Sequence, residues 1–191
     1  PGSGRPPLNI ETMSSQLAKI STITGDVVHT WKSPMQALSI RHLDVLPDHS
    51  VLVGCQYQRD DERPPCVALA HPQRDEIELL EPDNQWLAWD MQGYTASVRA
   101  FPEVSPLAGQ AIISNPRGHL LTSWAATEGI MQKKQALQSS KGICLRGREG
   151  WITAGAGELW YWSDGELLRL SEQIKPGIWW ENHMHGRVLN A

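Results

Sequence analysis

His183 and His185 stand two residues apart, a spacing that on a β-strand turns both imidazoles to one face. Such a pair holds a transition metal when a third ligand joins it, and His42, Asp44 and Glu181 are the candidates to supply one. A second chemistry starts from ALSIRHLDVL (37–46), an apolar run that carries Arg41 beside His42. The planar donors of an arginine suit a carboxylate or phosphate in bidentate fashion, so Arg41 is a candidate grip for an anion. Arg99, Arg146 and Arg187 share one repeat position, that of Asp44, further along, and Arg117 in the turn NPRG (115–118) and Tyr94 complete the candidate ligand contacts.

Covalent catalysis has little support. No G-x-S-x-G elbow occurs, and no Ser or Cys is placed by sequence beside a His and an acid. GAG at 155–157 lacks the rest of a dinucleotide fingerprint and reads as a turn. Cys55, Cys66 and Cys144 have no metal spacing. Cys55 and Cys66 flank a polar loop and are expected to face each other across a hairpin, either as a disulfide or as two small buried apolar side chains.

A formal net charge of −4 gives no basic field for a phosphate backbone, so no nucleic-acid partner is expected. No apolar run approaches the ~20 residues of a membrane-spanning helix. No leader is readable at Pro1, so an export signal is expected to have been removed or never present.

The elements that must position these residues are strands. Short β-patterned runs such as VLVGCQY (51–57), CVALA (66–70), AIIS (111–114) and ELWYW (158–162) recur between Gly, Pro, Asp and Asn, and only TEGIMQKKQALQ (127–138) hints at a helix, interrupted by Gly129. The runs also repeat. SIRHLDVL (39–46), YTASVRAF (94–101), GICLRG (142–147) and NHMHGRVL (182–189) superpose with His42, Ser97, Cys144 and His185 equivalent. Spacings of 55, 47 and 41 residues bracket the ~40–50 of a four-stranded propeller blade. Strand–turn–strand units with turn glycines Gly25, Gly129 and Gly165 supply the outer halves.

The expectation is therefore an all-β propeller of four-stranded antiparallel blades. Residues 1–36 hold the outer strands of a partial blade, 37–81, 93–138 and 139–175 are blades, and 178–191 carry a closing inner strand. Three blades cannot close a ring of ~4–8, so the chain is expected to be the C-terminal part of a longer propeller. The alternative architecture is a complete β-sandwich of about a dozen strands. In a propeller the polar inner-strand residues line a central channel, and there Arg41 and His42 can equally serve a structural end by satisfying carbonyl groups of adjacent blades. Trp124, Trp160 and Trp162 are expected to pack between blades.

RPPLNIETM (5–13), LSIRHL (38–43), VGCQYQ (53–58), YTASV (94–98) and ISNPRGHLL (113–121), with KGICL (141–145) and ITAGAGEL (152–159) more loosely, resemble in order a bacterial family known as domain of unknown function 1513. The resemblance spans nearly the whole chain and about the C-terminal half of a family member. It implies a seven-bladed propeller, export to the periplasm, often by the twin-arginine route, and a neighbourhood of imelysin-like lipoproteins and haem-containing oxidoreductases that points to iron acquisition. It implies no catalytic residue. VGCQYQ and KGICL depart from it by placing Cys where other small or apolar residues are expected. Two functions follow as expectations. One is a non-catalytic scaffold for a protein such as an imelysin-like lipoprotein or for an anionic ligand, with YQRDDERPP (57–65) as a contact loop. The other is an enzyme using iron, another transition metal or haem at the channel mouth around His42, His183 and His185.

Overall fold

The structure is a computed structural model, described here for residues 9–81, 86–155, 157–171, 180 and 183–184. It opens on a two-stranded sheet, β1 (Gln16–Ile20) paired with β2 (Val27–Lys32). Three four-stranded antiparallel sheets follow in chain order. The first is β3 (Leu38–Val45), β4 (Val51–Tyr57), β5 (Val67–Ala70) and β6 (Glu78–Leu79). A short helix, α1 (Trp86–Asp90), leads to the second, made of β7 (Val98–Ala100), β8 (Gln110–Asn115), β9 (Leu120–Ala125) and β10 (Ile130–Ala136). The third is β11 (Ser140–Arg146), β12 (Glu149–Ala154), β13 (Glu158–Ser163) and β14 (Glu166–Ser171). In each sheet every strand pairs with its neighbour in sequence, which is the blade order read from the repeat.

The alternation of side chains along each strand makes the blades stack. Leu52 and Val53 are adjacent on β4 yet enter different cores, as do Ala68 and Leu69 on β5, Ile112 and Ile113 on β8, and Leu120 and Leu121 on β9. One core, with Leu52, Leu69, Val98, Ile113 and Trp124, lies between the first and second blades. Another, with Phe101, Ile112, Leu121, Ile143, Ile152 and Trp162, lies between the second and third. The two-stranded sheet covers the opposite face of the first blade through Trp31, whose indole Nε1 donates to the His71 carbonyl at 2.7 Å. Each fully buried Leu, Ile or Val side chain contributes roughly 1.5–3 kcal/mol relative to exposure, so stacking rather than any single hairpin stabilises the array.

The three turn glycines fulfil their expected role. Gly25, Gly129 and Gly165 all take positive φ, at 78°, 72° and 83°, between the outer strands of their sheets. The helical hint at 127–138 resolves into a single 3₁₀ turn, Ala126–Glu128, followed by β10, because Gly129 adopts the left-handed conformation that ends it. Of the tryptophans expected between blades, Trp124 and Trp162 are buried and Trp160 is partly buried. Cys55 and Cys66 face each other, the Cys55 amide donating to the Cys66 carbonyl at 2.8 Å, and both are buried free thiols. Burial, with the nearby Cys66 adding to it at Cys55, pushes the two thiols up to about 12 and about 11.

The first two blades approach each other closely at Gly54. A Cβ there would meet Val98 Cγ2 at 2.7 Å and Thr95 Cγ2 at 2.8 Å. Gly54→Ala should therefore overpack the junction and cost about 1–3 kcal/mol, read as a lowered urea midpoint with an unchanged slope.

Candidate functional site

Among the described residues the innermost strands β3, β7 and β11 each pair on one side only, so each turns a row of backbone groups toward its neighbours rather than into a ladder. Side chains meet this demand. The Asp44 carboxylate, on β3, accepts the Ala100 amide of β7 at 2.9 Å through Oδ2 and the Val45 amide at 3.0 Å through Oδ1. Arg99, on β7, donates from Nε to the Ile143 carbonyl of β11 at 3.3 Å and from Nη2 to the Met184 carbonyl at 3.5 Å, and lies 3.9 Å from Asp44. The Ser114 hydroxyl accepts the Ser97 amide at 2.9 Å and donates to the Lys141 carbonyl at 2.6 Å, tying the second blade to the third. For Arg99 the structural reading of an inner-strand arginine is thus realised.

Arg41 is different because of a β-bulge. Ile40 pairs with Cys55 and His42 with Gly54, leaving Arg41 as the extra residue of β3. A bulge re-aims a side chain, and here consecutive residues reach one place. Arg41 and His42 line the same cavity of about 180 Å³ with Leu43, Ser97, Val98, Arg99 and His183. Arg41 is exposed, and no carboxylate among the described residues lies within ion-pair distance of it. Beyond Arg99 a second space of about 390 Å³ is bounded by Asp44, Pro102, Cys144 and Met184, among others.

The electrostatics favour an anion over a metal. The His42 ring lies 5.1 Å from that of His183, centroid to centroid. Burial, then His183, Arg41 and Arg99 in turn, push His42 down to about 4, so it is neutral at pH 7. Two imidazoles could ligate a metal, but a cation there would face two guanidinium groups. Asp44, the acid expected to join them, is engaged by two amides and Arg99. No group of three His, Cys, Asp or Glu side chains among the described residues could hold a metal ion. The described residues therefore do not fit a metal, whereas Arg41, Arg99 and the Ser97 hydroxyl offer donors to an anion.

The other expected contacts are elsewhere. Antiparallel order puts the β4–β5, β6–β7 and β8–β9 connections at one end of the blades and the β3–β4, β7–β8 and β11–β12 connections at the other. Arg117 and Tyr94 meet at the first end, the guanidinium 5.1 Å from the ring centroid. Arg146 is exposed at the second end and lines neither cavity. Only Arg41, His42, Arg99 and His183 of the expected set are brought together; His185 and Arg187 lie outside the described residues. Sequence reasoning missed the bulge and the engagement of Asp44. Their one visible trace was the adjacency of Arg41 and His42.

Two outcomes follow from this geometry. Asp44→Ala should cost about 1–3 kcal/mol by orphaning the Ala100 amide, while Asp44→Asn, which keeps an acceptor, should lose much less in the same denaturation assay. His42 holds its proton less readily folded than unfolded, so stability is fully retained above about pH 6.5 and falls as pH drops toward about 4. The contribution is on the order of 1 kcal/mol after solvent screening. His42→Gln should flatten that limb of the stability–pH curve, and the His42 ring should titrate near pH 4 by NMR.

A search of curated proteins finds no match. The family model described as "Protein of unknown function (DUF1513)" matches residues 1–187 of the 191. With nearly its full length matched, the chain belongs to the DUF1513 family.

Proposed function

We propose that this protein is a non-catalytic binding scaffold of the periplasm that serves iron acquisition by holding a small carboxylate-bearing ligand, such as an iron chelate, beside the bulge of β3. The observation that carries the ligand class is Arg41: the bulge delivers it to a cavity shared with Arg99, Ser97 and two imidazoles, and leaves it without an acidic partner among the described residues. Arg99 is held in place by two backbone carbonyls and contributes a fixed positive charge, while Arg41 remains to form the bidentate grip. The periplasmic setting, an imelysin-like partner and the link to iron rest on what the family resemblance implies. The charged loop at 57–65, with Arg63 set 6.0 Å from the Trp89 ring, suits a protein contact at the far end of the blades.

Calorimetric titration with citrate, ferric citrate and inorganic phosphate tests the proposal. Binding of citrate or its ferric complex is expected, weakened at least ~10-fold (about 1.4 kcal/mol) by Arg41→Ala with the unfolding midpoint unchanged. No heat with any of the three, or equal affinity in the variant, would overturn it.

A further inference from the structure

A second bulge opens a second cleft, on the rim between the second and third blades. The pairing of β10 with β9 shifts at Gln132, so that Met131 stands opposite Trp124 and packs on the core shared with the first blade, while Lys133 stands opposite Ser123. In a regular strand Met131 and Lys133 would share a face, and the extra residue instead sends Gln132 and Lys133 toward the third blade. Ser123 lies two residues from Leu121 and Gln110 two from Ile112, and both of those apolar side chains belong to the core between the second and third blades. That core thus ends outward in polar groups. Gln110, Ser123, Gln132 and Lys133 form one wall of a cleft of about 380 Å³, and Trp162 and Asp164 of the third blade stand on the other. Trp162 is 3% exposed and its ring centroid lies 5.5 Å from that of Phe101, so the core fixes this wall. The cleft shares no residue with the cavity of Arg41.

The groups left unspent in the cleft decide its ligand. Its charges are engaged internally: Lys133 Nζ donates to the Gly165 carbonyl at 2.6 Å and to Glu166 Oε1 at 3.0 Å, and the Asp164 carboxylate accepts Arg148 Nη2 at 2.6 Å and Nε at 3.2 Å. An ionic ligand would have to displace those partners. What remains is neutral. The side chains of Gln110, Ser123 and Gln132 and the Trp162 indole N–H make no hydrogen bond among the described residues. Each amide both donates and accepts, as does the hydroxyl, so the matching ligand does both at several points. The indole and the half-buried Leu107 add an apolar patch beside them. Hydroxyl groups around a C–H face describe a sugar ring, and the volume falls within the ~300–1,000 Å³ of small-molecule pockets. We propose that this cleft is a second ligand site, for a neutral polyhydroxylated molecule of the sugar class, held by Gln110, Ser123 and Gln132 against Trp162.

Nitrogen-15 NMR of this chain, titrated separately with glucose, galactose and mannose and with citrate as the charged control, tests the proposal. The Gln110 and Gln132 side-chain amides and the Trp162 indole N–H should shift together and saturably with at least one of the sugars, and stay still with citrate. Gln132 is exposed, so Gln132→Ala should leave the unfolding midpoint unchanged while weakening that binding about 3- to 10-fold, as expected for a lost neutral hydrogen bond. Arg41→Ala should not alter it, because the two sites share no residue. No saturable shift with any of the three sugars, equal affinity in Gln132→Ala, or movement of the same resonances by citrate would overturn the proposal.

Discussion

A strand with one partner has half its peptide groups unspent, and the placement of polar residues in this fold answers to that. The inner edge of each blade must satisfy its amides and carbonyls without a neighbouring ladder. It does so by borrowing from the next blade: Asp44 reaches the Ala100 amide, Arg99 the Ile143 carbonyl, and the Ser114 hydroxyl the Lys141 carbonyl. Each bond is worth about 1 kcal/mol when made and more when broken, since the orphaned group stays desolvated. These cross-links set one inner strand against another while the interleaved apolar cores hold the outer parts, so polar register and apolar stacking specify the same arrangement.

The candidate site is an exception to that economy. On the inner strands Asp44, Arg99 and Ser140 are engaged in blade-to-blade bonds, and Arg99 and Asp44 offset each other in part. Arg41 escapes because the bulge removes it from the pairing pattern. It is left facing the neutral His42 ring, His183 and a fixed guanidinium, which is why the proposed ligand is an anion. Burial first, and then the neighbouring His183, Arg41 and Arg99, lower the His42 pKa, and the same two guanidinium groups are the donors of the proposed anion site.

Much of the fold was legible because the signals that encode it are local. Alternating apolar runs fixed the strands of all three blades, and Gly25, Gly129 and Gly165 marked the outer turns because only a residue tolerant of positive φ closes them cheaply. Less legible were elements held by their surroundings. β6 spans two residues and β7 three, each shorter than its apolar run, and α1 is a single five-residue helix with no acidic residue in its first turn and no basic one in its last. The site was half legible. Arg41, His42, Arg99 and His183 carried the right chemistry and converge, but Arg117 and Arg146 stand at opposite ends of the blades because the β8–β9 and β11–β12 turns emerge on opposite sides. A bulge is a matter of register between two strands, and no single-strand pattern encodes it.

That register has a genetic consequence. On either side of Arg41 the pairing of β3 with β4 is regular, Ile40 with Cys55 and His42 with Gly54, so the site's defining side chain occupies a codon that the ladder does not count. Substitution tunes the chemistry of such a position, but loss or gain of one codon erases or creates the position itself. Among blades that share this framework, the ability to hold a ligand here would be inherited as a length difference of one residue, invisible to any comparison that treats gaps as noise.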